Sequence, residues 1–260
     1  MTAGDRDRLL EPARAAVPDA ACARRILPLL DLTSLRGDET EAEIEALARR
    51  AVRHGLAALC ILPERLATAR AVLAGSKVRL ATVAAFPGGS DEPTVTAAEV
   101  AAAVRAGARE VDVVAPLGAI RAGDLASVSE LVEACRAAAG PGITLKLILE
   151  TGALREPPLV VAVARAAVMA GIDFLKTSTG KIPEGATLEA AALLLEVIGE
   201  AEGRVGLKLS GGIRRVADAA PYLALVDAMQ GPAWVSPARL RIGASALLDD
   251  LLRVGGEPGA

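Results

Sequence analysis

One histidine, three cysteines and four aromatic side chains (two Phe, one Tyr, one Trp) in 260 residues leave several kinds of chemistry without raw material. A zinc site needs a cluster of histidine, cysteine or carboxylate ligands, and a serine-type triad needs a histidine beside its nucleophile. His54 stands alone at an expected helix end and reads as a surface residue. No metal and no cofactor is expected. Cys22, Cys60 and Cys135 are too few and too far apart for a disulfide framework or a zinc cluster, and free thiols suit a reducing compartment. The first residues hold no apolar signal core, and no run of about 18 apolar residues occurs, so no membrane partner and a cytoplasmic location are expected. Strong charge of one sign is missing too. The net charge is −3, and the 24 arginines fall singly or in pairs, so the clustered footprint of a nucleic-acid binder is not visible. Arg24-Arg25, Arg49-Arg50 and Arg214-Arg215 read as solvated helix ends.

What is present is aliphatic. Hydrophobic residues make up 52% of the chain and aromatics 2%. Short aliphatic runs at Ile26–Leu32, Ala57–Ile61, Arg79–Ala84, Glu110–Val114, Thr144–Leu149, Asp173–Lys176, Arg204–Leu209 and Leu240–Ile242 read as strands. Helical stretches near 41–54, 63–74, 94–106, 124–139, 156–170, 187–201, 215–229 and 245–253 separate them. Eight strands alternating with eight helices imply a parallel sheet, and this length suits one closed barrel. An open doubly wound sheet is the alternative. The fold class is therefore α/β, a single (β/α)8 TIM barrel over residues 26–254. Residues 1–25 form an extra N-terminal helix, set outside the barrel where it could cover the base, and 255–260 a frayed tail. Gly55, Gly107 and Gly171 follow helices as C-terminal caps, and Asp124 and Thr187 precede helices as N-caps.

The functional signal is charge inside strands that should be buried. Glu110 and Asp112 share one face of Glu-Val-Asp-Val-Val, because strand side chains alternate. Three of the five lysines, Lys146, Lys176 and Lys208, fall in the fifth, sixth and seventh strands, which are barrel neighbours. Buried charges persist only when paired, and Glu110 and Asp112 are the available partners. A structural ion-pair network accounts for Lys146 as well as a catalytic role does. It accounts poorly for Lys176 and Lys208 at the strand ends. A lysine is a weak nucleophile while protonated, and burial beside a second cation favours the neutral amine. The pair suits amine catalysis, although pattern alone does not say which lysine attacks.

Three small-residue turns follow the last three strands: Thr177-Ser178-Thr179-Gly180-Lys181, Ser210-Gly211-Gly212-Ile213-Arg214 and Gly243-Ala244-Ser245. Such turns bind phosphate through backbone N–H groups at this end of barrels. Ser245 is placed at a helix N-cap, and Lys181 and Arg214 add positive charge.

At these residues the chain resembles the deoxyribose-phosphate aldolase family. The matching segments include Leu-Asp-Leu-Thr-Ser-Leu (30–35), Ala-Thr-Val-Ala-Ala-Phe-Pro (81–87), Glu-Val-Asp-Val-Val (110–114) and Ile-Leu-Glu-Thr-Gly (148–152). The most telling are Phe-Leu-Lys-Thr-Ser-Thr-Gly-Lys (174–181), Gly-Leu-Lys-Leu-Ser-Gly-Gly-Ile-Arg (206–214) and Arg-Ile-Gly-Ala-Ser (241–245). The resemblance implies reversible aldol cleavage of 2-deoxy-D-ribose 5-phosphate to acetaldehyde and D-glyceraldehyde 3-phosphate. It implies Lys176 as the Schiff-base lysine, Lys208 as the neighbour that lowers its pKa, and Asp112 as proton shuttle with Lys208 and a water. Asp31 and Thr33 would position a sugar hydroxyl with Thr179 nearby. Gly180, Lys181, Gly211, Gly212, Gly243 and Ser245 would hold the phosphate. The implied partners are small phosphorylated sugars and aldehydes, with a homodimer as a candidate assembly.

The chain departs from the family in three places. Ala246 stands where many relatives carry a second serine, so one phosphate hydrogen bond is lost. Cys-Ile-Leu-Pro (60–63) carries Leu62 where tyrosine or asparagine often precedes the proline, and the chain ends at Ala260 without the tyrosine of some relatives. Cys60 reads as core; facing the barrel mouth, its thiol would be open to reactive enals. The rival readings are another Schiff-base sugar-phosphate aldolase or a transaldolase, and a non-catalytic sugar-phosphate binding barrel. Assays with dihydroxyacetone phosphate as donor separate the first; the retained lysines and Asp112 argue against the second.

Overall fold

The computed structural model describes residues 3–202 and 204–256. The expected frayed tail at 257–260 lies outside the described residues. In chain order the elements are α1 (Ala3–Arg14), α2 (Ala20–Ile26), β1 (Leu30–Ser34), α3 (Glu41–Arg53), β2 (Ala58–Ile61), α4 (Leu66–Leu73), β3 (Arg79–Ala84), α5 (Pro93–Ala106), β4 (Glu110–Val114) and α6 (Leu117–Arg121). Then follow α7 (Ala126–Ala139), β5 (Thr144–Ile148), α8 (Thr151–Leu154), α9 (Pro157–Met169), β6 (Phe174–Lys176), α10 (Leu188–Glu200), β7 (Gly206–Ser210), α11 (Val216–Gln230), β8 (Leu240–Ala244) and α12 (Leu247–Gly255). The eight strands pair in parallel, in sequence order, and close β8 onto β1. Closure removes both sheet edges, so every strand is bonded on two sides. The open-sheet alternative is thereby excluded.

Local chemistry explains most boundaries. Thr40 and Glu43 form a reciprocal capping box at the start of α3, and the Thr187 hydroxyl accepts from the Ala190 N–H at the start of α10. Asp124, expected as the N-cap of a helix starting at Leu125, stands one residue before the N-cap Leu125 of α7, and its carboxylate accepts from the N–H groups of Ala126 and Ser127. Gly107 ends α5 with φ of 109°, a left-handed geometry that only glycine adopts without strain.

Three features differ from expectation. The first strand was expected at Ile26–Leu32 and runs instead at Leu30–Ser34. Asp19 caps α2 by accepting from the Cys22 N–H, so Ile26 is drawn into that helix. Pro28 then fits a 3-10 turn at Leu27–Leu29. The N-terminal extension is two helices rather than one, and it docks on the outer ring: α1 against α10 and α11, α2 against α11 and α12. The base is left as a cleft lined by Pro28, Arg79, Phe174 and Arg241, among others. Finally, cations distant in sequence do meet: Arg70, Lys77, Arg79, Arg105 and Arg109 share a cleft at the base. Arg70 and Arg105 lie in the last turns of α4 and α5, where helix carbonyl ends favour positive charge.

No helix among the described residues is long and apolar enough to cross a membrane. The described residues hold no group of three or more His, Cys, Asp or Glu placed to bind a metal ion.

Candidate active site

Alternation along the strands sends two kinds of side chain into the barrel. From β2 and β3 come Ala58, Cys60, Ala81 and Val83, an apolar cluster joined by Leu35. From β1 and β4 to β8 come Asp31, Glu110, Asp112, Lys146, Lys176, Lys208 and Arg241, each at most 5% exposed. Register sets neighbours side by side: Asp112 with Lys146, Lys176 with Lys208, and Lys208 with Arg241.

These seven groups form one continuous network. Asp112 is its hub. One carboxylate oxygen, Oδ2, accepts from Lys176 Nζ and from Lys208 Nζ, both at 2.8 Å. The other, Oδ1, accepts from Lys146 Nζ at 2.9 Å. Lys146 also reaches Glu110 at 2.7 Å, and Lys208 reaches Asp31 at 2.6 Å. Arg241 closes the circuit, with Nη1 on Asp31 at 2.7 Å and Nη2 on Glu110 at 2.8 Å. Phe174 packs beneath, its ring centre 5.9 Å from the Lys146 ammonium and 5.7 Å from the Arg241 guanidinium. Gly206 makes room for that ring, since a Cβ there would sit 2.4 Å from Phe174 Cε1.

Fully ionised, the network carries four cations and three carboxylates. A dry interior disfavours that surplus, and removing one proton restores neutrality. The geometry singles out the group that releases it. Burial and the Lys208 ammonium lower the pKa of Lys176 below the ordinary lysine value, against a single carboxylate partner, Asp112. Burial also acts on Lys208, but Asp112 and Asp31 together raise its pKa well above the ordinary value. Lys146 is raised as well, because Asp112 and Glu110 outweigh its burial. Burial would raise Asp112, yet three ammonium groups hold it well below the usual carboxylate range. Asp31 is likewise lowered, with Lys208 and Arg241 overriding its burial.

Above Lys176 lies a cavity of about 250 Å³ at the C-terminal ends of the strands. Of the expected residues, Thr33, Lys176, Thr179, Gly180, Lys181, Gly211, Gly212, Gly243 and Ser245 line it. Asp112 and Lys208 do not; Asp112 contacts Lys176 from beneath the floor, and Lys208 meets the same carboxylate oxygen. Asp31, expected beside Thr33 at a sugar hydroxyl, is fully buried and committed to Lys208 and Arg241. Ser245 is not the helix N-cap: α12 starts at Leu247 and the N-cap is Ala246. Gly211 has φ of 87°, and a Cβ on it would meet Gly185 Cα at 2.8 Å, so the turn closes only with glycine. Lys181 spans the mouth, its Nζ donating to the Leu35 carbonyl at 2.6 Å. Cys60 is wholly buried in the apolar wall, where burial pushes its thiol pKa up.

Four contributors were not singled out from sequence. Arg241, a network cation, appeared only within a matched segment; the usable signal was an arginine inside a strand. Glu150, held at φ of 55°, accepts from the Thr179 hydroxyl and N–H. Ser210 and Arg36 line the cavity. Ser210 reads as the first residue of a turn but ends β7, and the reach of Arg36 was not legible.

A closed parallel barrel with an amine-rich, charge-balanced interior under a glycine-walled cavity defines a class of enzyme that works through lysine. The comparisons give the family. Residues 25–253 match the family described as DeoC/LacD family aldolase, and the chain belongs to it. It is 44% identical over 237 residues to the deoxyribose-phosphate aldolase of Agrobacterium fabrum, covering 89% of this chain and 92% of the relative. Among solved structures it is similar to a putative deoxyribose-phosphate aldolase from Coccidioides immitis, with a TM-score of 0.79 and 26% identity over 97% of this chain and 98% of that one. The deoxyribose phosphate aldolase of Aeropyrum pernix, described as tetrameric, shares the fold at a TM-score of 0.74 and 24% identity, covering 96% of this chain and 97% of that one.

Proposed function

We propose that this chain cleaves and forms 2-deoxy-D-ribose 5-phosphate, with acetaldehyde and D-glyceraldehyde 3-phosphate as the two halves, through a Schiff base on Lys176. One observation carries the assignment. Lys176 alone among the lysines belongs to the buried network and also lines the cavity. Lys146 and Lys208 are in the network but beneath the floor, and Lys181 is at the mouth but outside the network.

The roles follow from charge. The neutral Lys176 amine adds to the substrate aldehyde carbon, and the carbinolamine takes up one proton from solvent on its hydroxyl and loses it as water, which leaves an iminium nitrogen bearing one positive charge. That charge restores the surplus in the network, with Asp112 Oδ2 within reach to stabilise it. Breaking the C2–C3 bond sends its electron pair into the iminium and yields a neutral enamine, while the C3 hydroxyl loses its proton and becomes the second aldehyde. The neutral enamine balances the network again. Asp112 Oδ2 accepts from both the reacting nitrogen and Lys208 Nζ, and Asp112 and Lys208, with a water, carry the protons. Lys146 is left a structural role, pinning Asp112 and Glu110 from below.

The phosphate would rest on Gly180, Lys181, Gly211, Gly212, Gly243 and Ser245, with Arg214 at the rim. Thr33 and Thr179 take the sugar hydroxyls; Asp31 acts through Lys208 and not on the sugar. A homodimer in the cytoplasm is the assembly and location proposed. Light scattering checks the first, since a monomer weighs 26.4 kDa.

The test is borohydride reduction in the presence of acetaldehyde, followed by peptide mass spectrometry. The expected result is an ethyl adduct on Lys176, absent from Lys176→Arg. No adduct, or one confined to another lysine, contradicts the reading.

A further inference from the structure

We propose that Ser210 sets the specificity of the aldol acceptor by donating a hydrogen bond to the hydroxyl adjacent to the acceptor's aldehyde carbon. The inference rests on the aldol reading above and adds a residue to it.

Ser210 ends β7, on the same inward face as Lys208 two residues earlier. Its backbone is fixed from both sides by Thr177: the Ser210 N–H donates to Thr177 Oγ1 at 3.1 Å, and that hydroxyl donates to the Ser210 carbonyl at 3.3 Å. Only the side chain is uncommitted. The residue is 5% exposed and lines the cavity, yet its Oγ has no hydrogen-bond partner. Gly243 lies opposite in register, and a Cβ there would stand 2.4 Å from Ser210 Oγ and 3.0 Å from Lys208 Cε. Space for this hydroxyl is therefore built into the neighbouring strand. A buried hydroxyl without a partner is costly, and a ligand that supplies one recovers that cost.

The two threonine hydroxyls that line the cavity already donate within the protein. Thr33 Oγ1 donates to the Asp31 carbonyl at 2.8 Å. Thr179 donates to the Glu150 carboxylate and accepts from the Lys181 N–H at 3.0 Å. Each hydroxyl has one proton, so both threonines face the cavity with lone pairs only. They accept from sugar hydroxyls, whereas Ser210 can donate to one. In the chain Ser210 sits between Lys208, beside the reacting nitrogen, and the Gly211-Gly212 turn. A substrate joined to Lys176 at its first carbon, with its phosphate on the glycine turns, lays its fourth carbon over Ser210. The hydroxyl on that carbon comes from the acceptor.

The experiment compares two acceptors for acetaldehyde addition: D-glyceraldehyde 3-phosphate and its analogue lacking the 2-hydroxyl, 3-phosphooxypropanal. The wild-type protein should prefer the hydroxylated acceptor in kcat/KM by roughly tenfold, the contribution of one hydrogen bond. Ser210→Ala should lose that preference, falling about tenfold on the first acceptor and holding the second within about twofold. Ser210→Cys, close in size with a weak donor, should fall between them and guards against a folding defect in the alanine variant. Equal loss on both acceptors, or no loss on either, overturns the proposal. Borohydride trapping of acetaldehyde runs alongside: failure to trap in the wild-type protein counts against the Schiff-base reading, while trapping with unchanged acceptor preference in Ser210→Ala counts against Ser210 alone.

Discussion

The two walls of the barrel interior are equally dry and chemically opposite. On β2 and β3 the inward side chains are Ala58, Cys60, Ala81 and Val83; on the remaining strands they include three lysines, an arginine and three carboxylates. Each wall needs the other. The apolar side excludes water, so charges on the far side must balance among themselves, and balance leaves one amine without a proton. Low dielectric alone would disfavour every ammonium there. The carboxylates decide which stay charged: Lys208 and Lys146 each hold two carboxylate partners, and Lys176 holds one.

That contrast can be broken from either wall. The largest expected effect is on turnover. Lys176→Leu should reduce aldol cleavage by about four orders of magnitude or more. It should also fold with undiminished stability, because the remaining network is neutral; a large fall in its unfolding midpoint would show that Lys176 is needed as a structural cation. Next comes Lys146→Met, which strips a partner from both Asp112 and Glu110. Removing one member of a buried pair costs about 3–5 kcal/mol, to be read from urea unfolding. An unchanged midpoint would mean that Lys146 is not the structural anchor of the hub.

Lys208→Leu tests the sign of the electrostatics. Without the Lys208 ammonium, Lys176 loses its main cationic neighbour and its pKa rises toward or past the ordinary lysine value. Since the neutral amine reacts, the rising limb of the pH–rate profile should move to higher pH. A move to lower pH would reverse the assignment. The smallest effect belongs to the apolar wall. Val83→Ala should cost about 2 kcal/mol through lost burial and a cavity, and leave the pH profile in place. A displaced profile would show that this wall tunes charge directly.

Much of this arrangement could be read from the chain, and the misses have physical causes. Alternating aliphatic runs and helical stretches gave the barrel, because parallel strands buried on both faces must be apolar, so lysines inside them stand out. The N-terminal boundary was not legible. Ile-Leu-Pro-Leu-Leu is equally apolar as helix, turn or strand, and the Asp19 cap decided it. The pairing of Asp31 with Arg241 was not legible, because Arg241 arrives from the far end of the chain through strand closure, which sequence spacing does not encode. Ser245 missed the cap by one residue, within the ordinary slack of helix ends. Glu150 holds Thr179 from a left-handed backbone position, a strain that no residue pattern announces.

The most direct measurement is the protonation state of each lysine. With five lysines in the chain, selective 13Cε labelling gives a spectrum simple enough to follow by NMR across pH. One resonance, missing in Lys176→Arg, should titrate below the ordinary lysine value, while those of Lys146 and Lys208 stay protonated above it. Five resonances that all titrate at or above the ordinary value would contradict the charge-balance account.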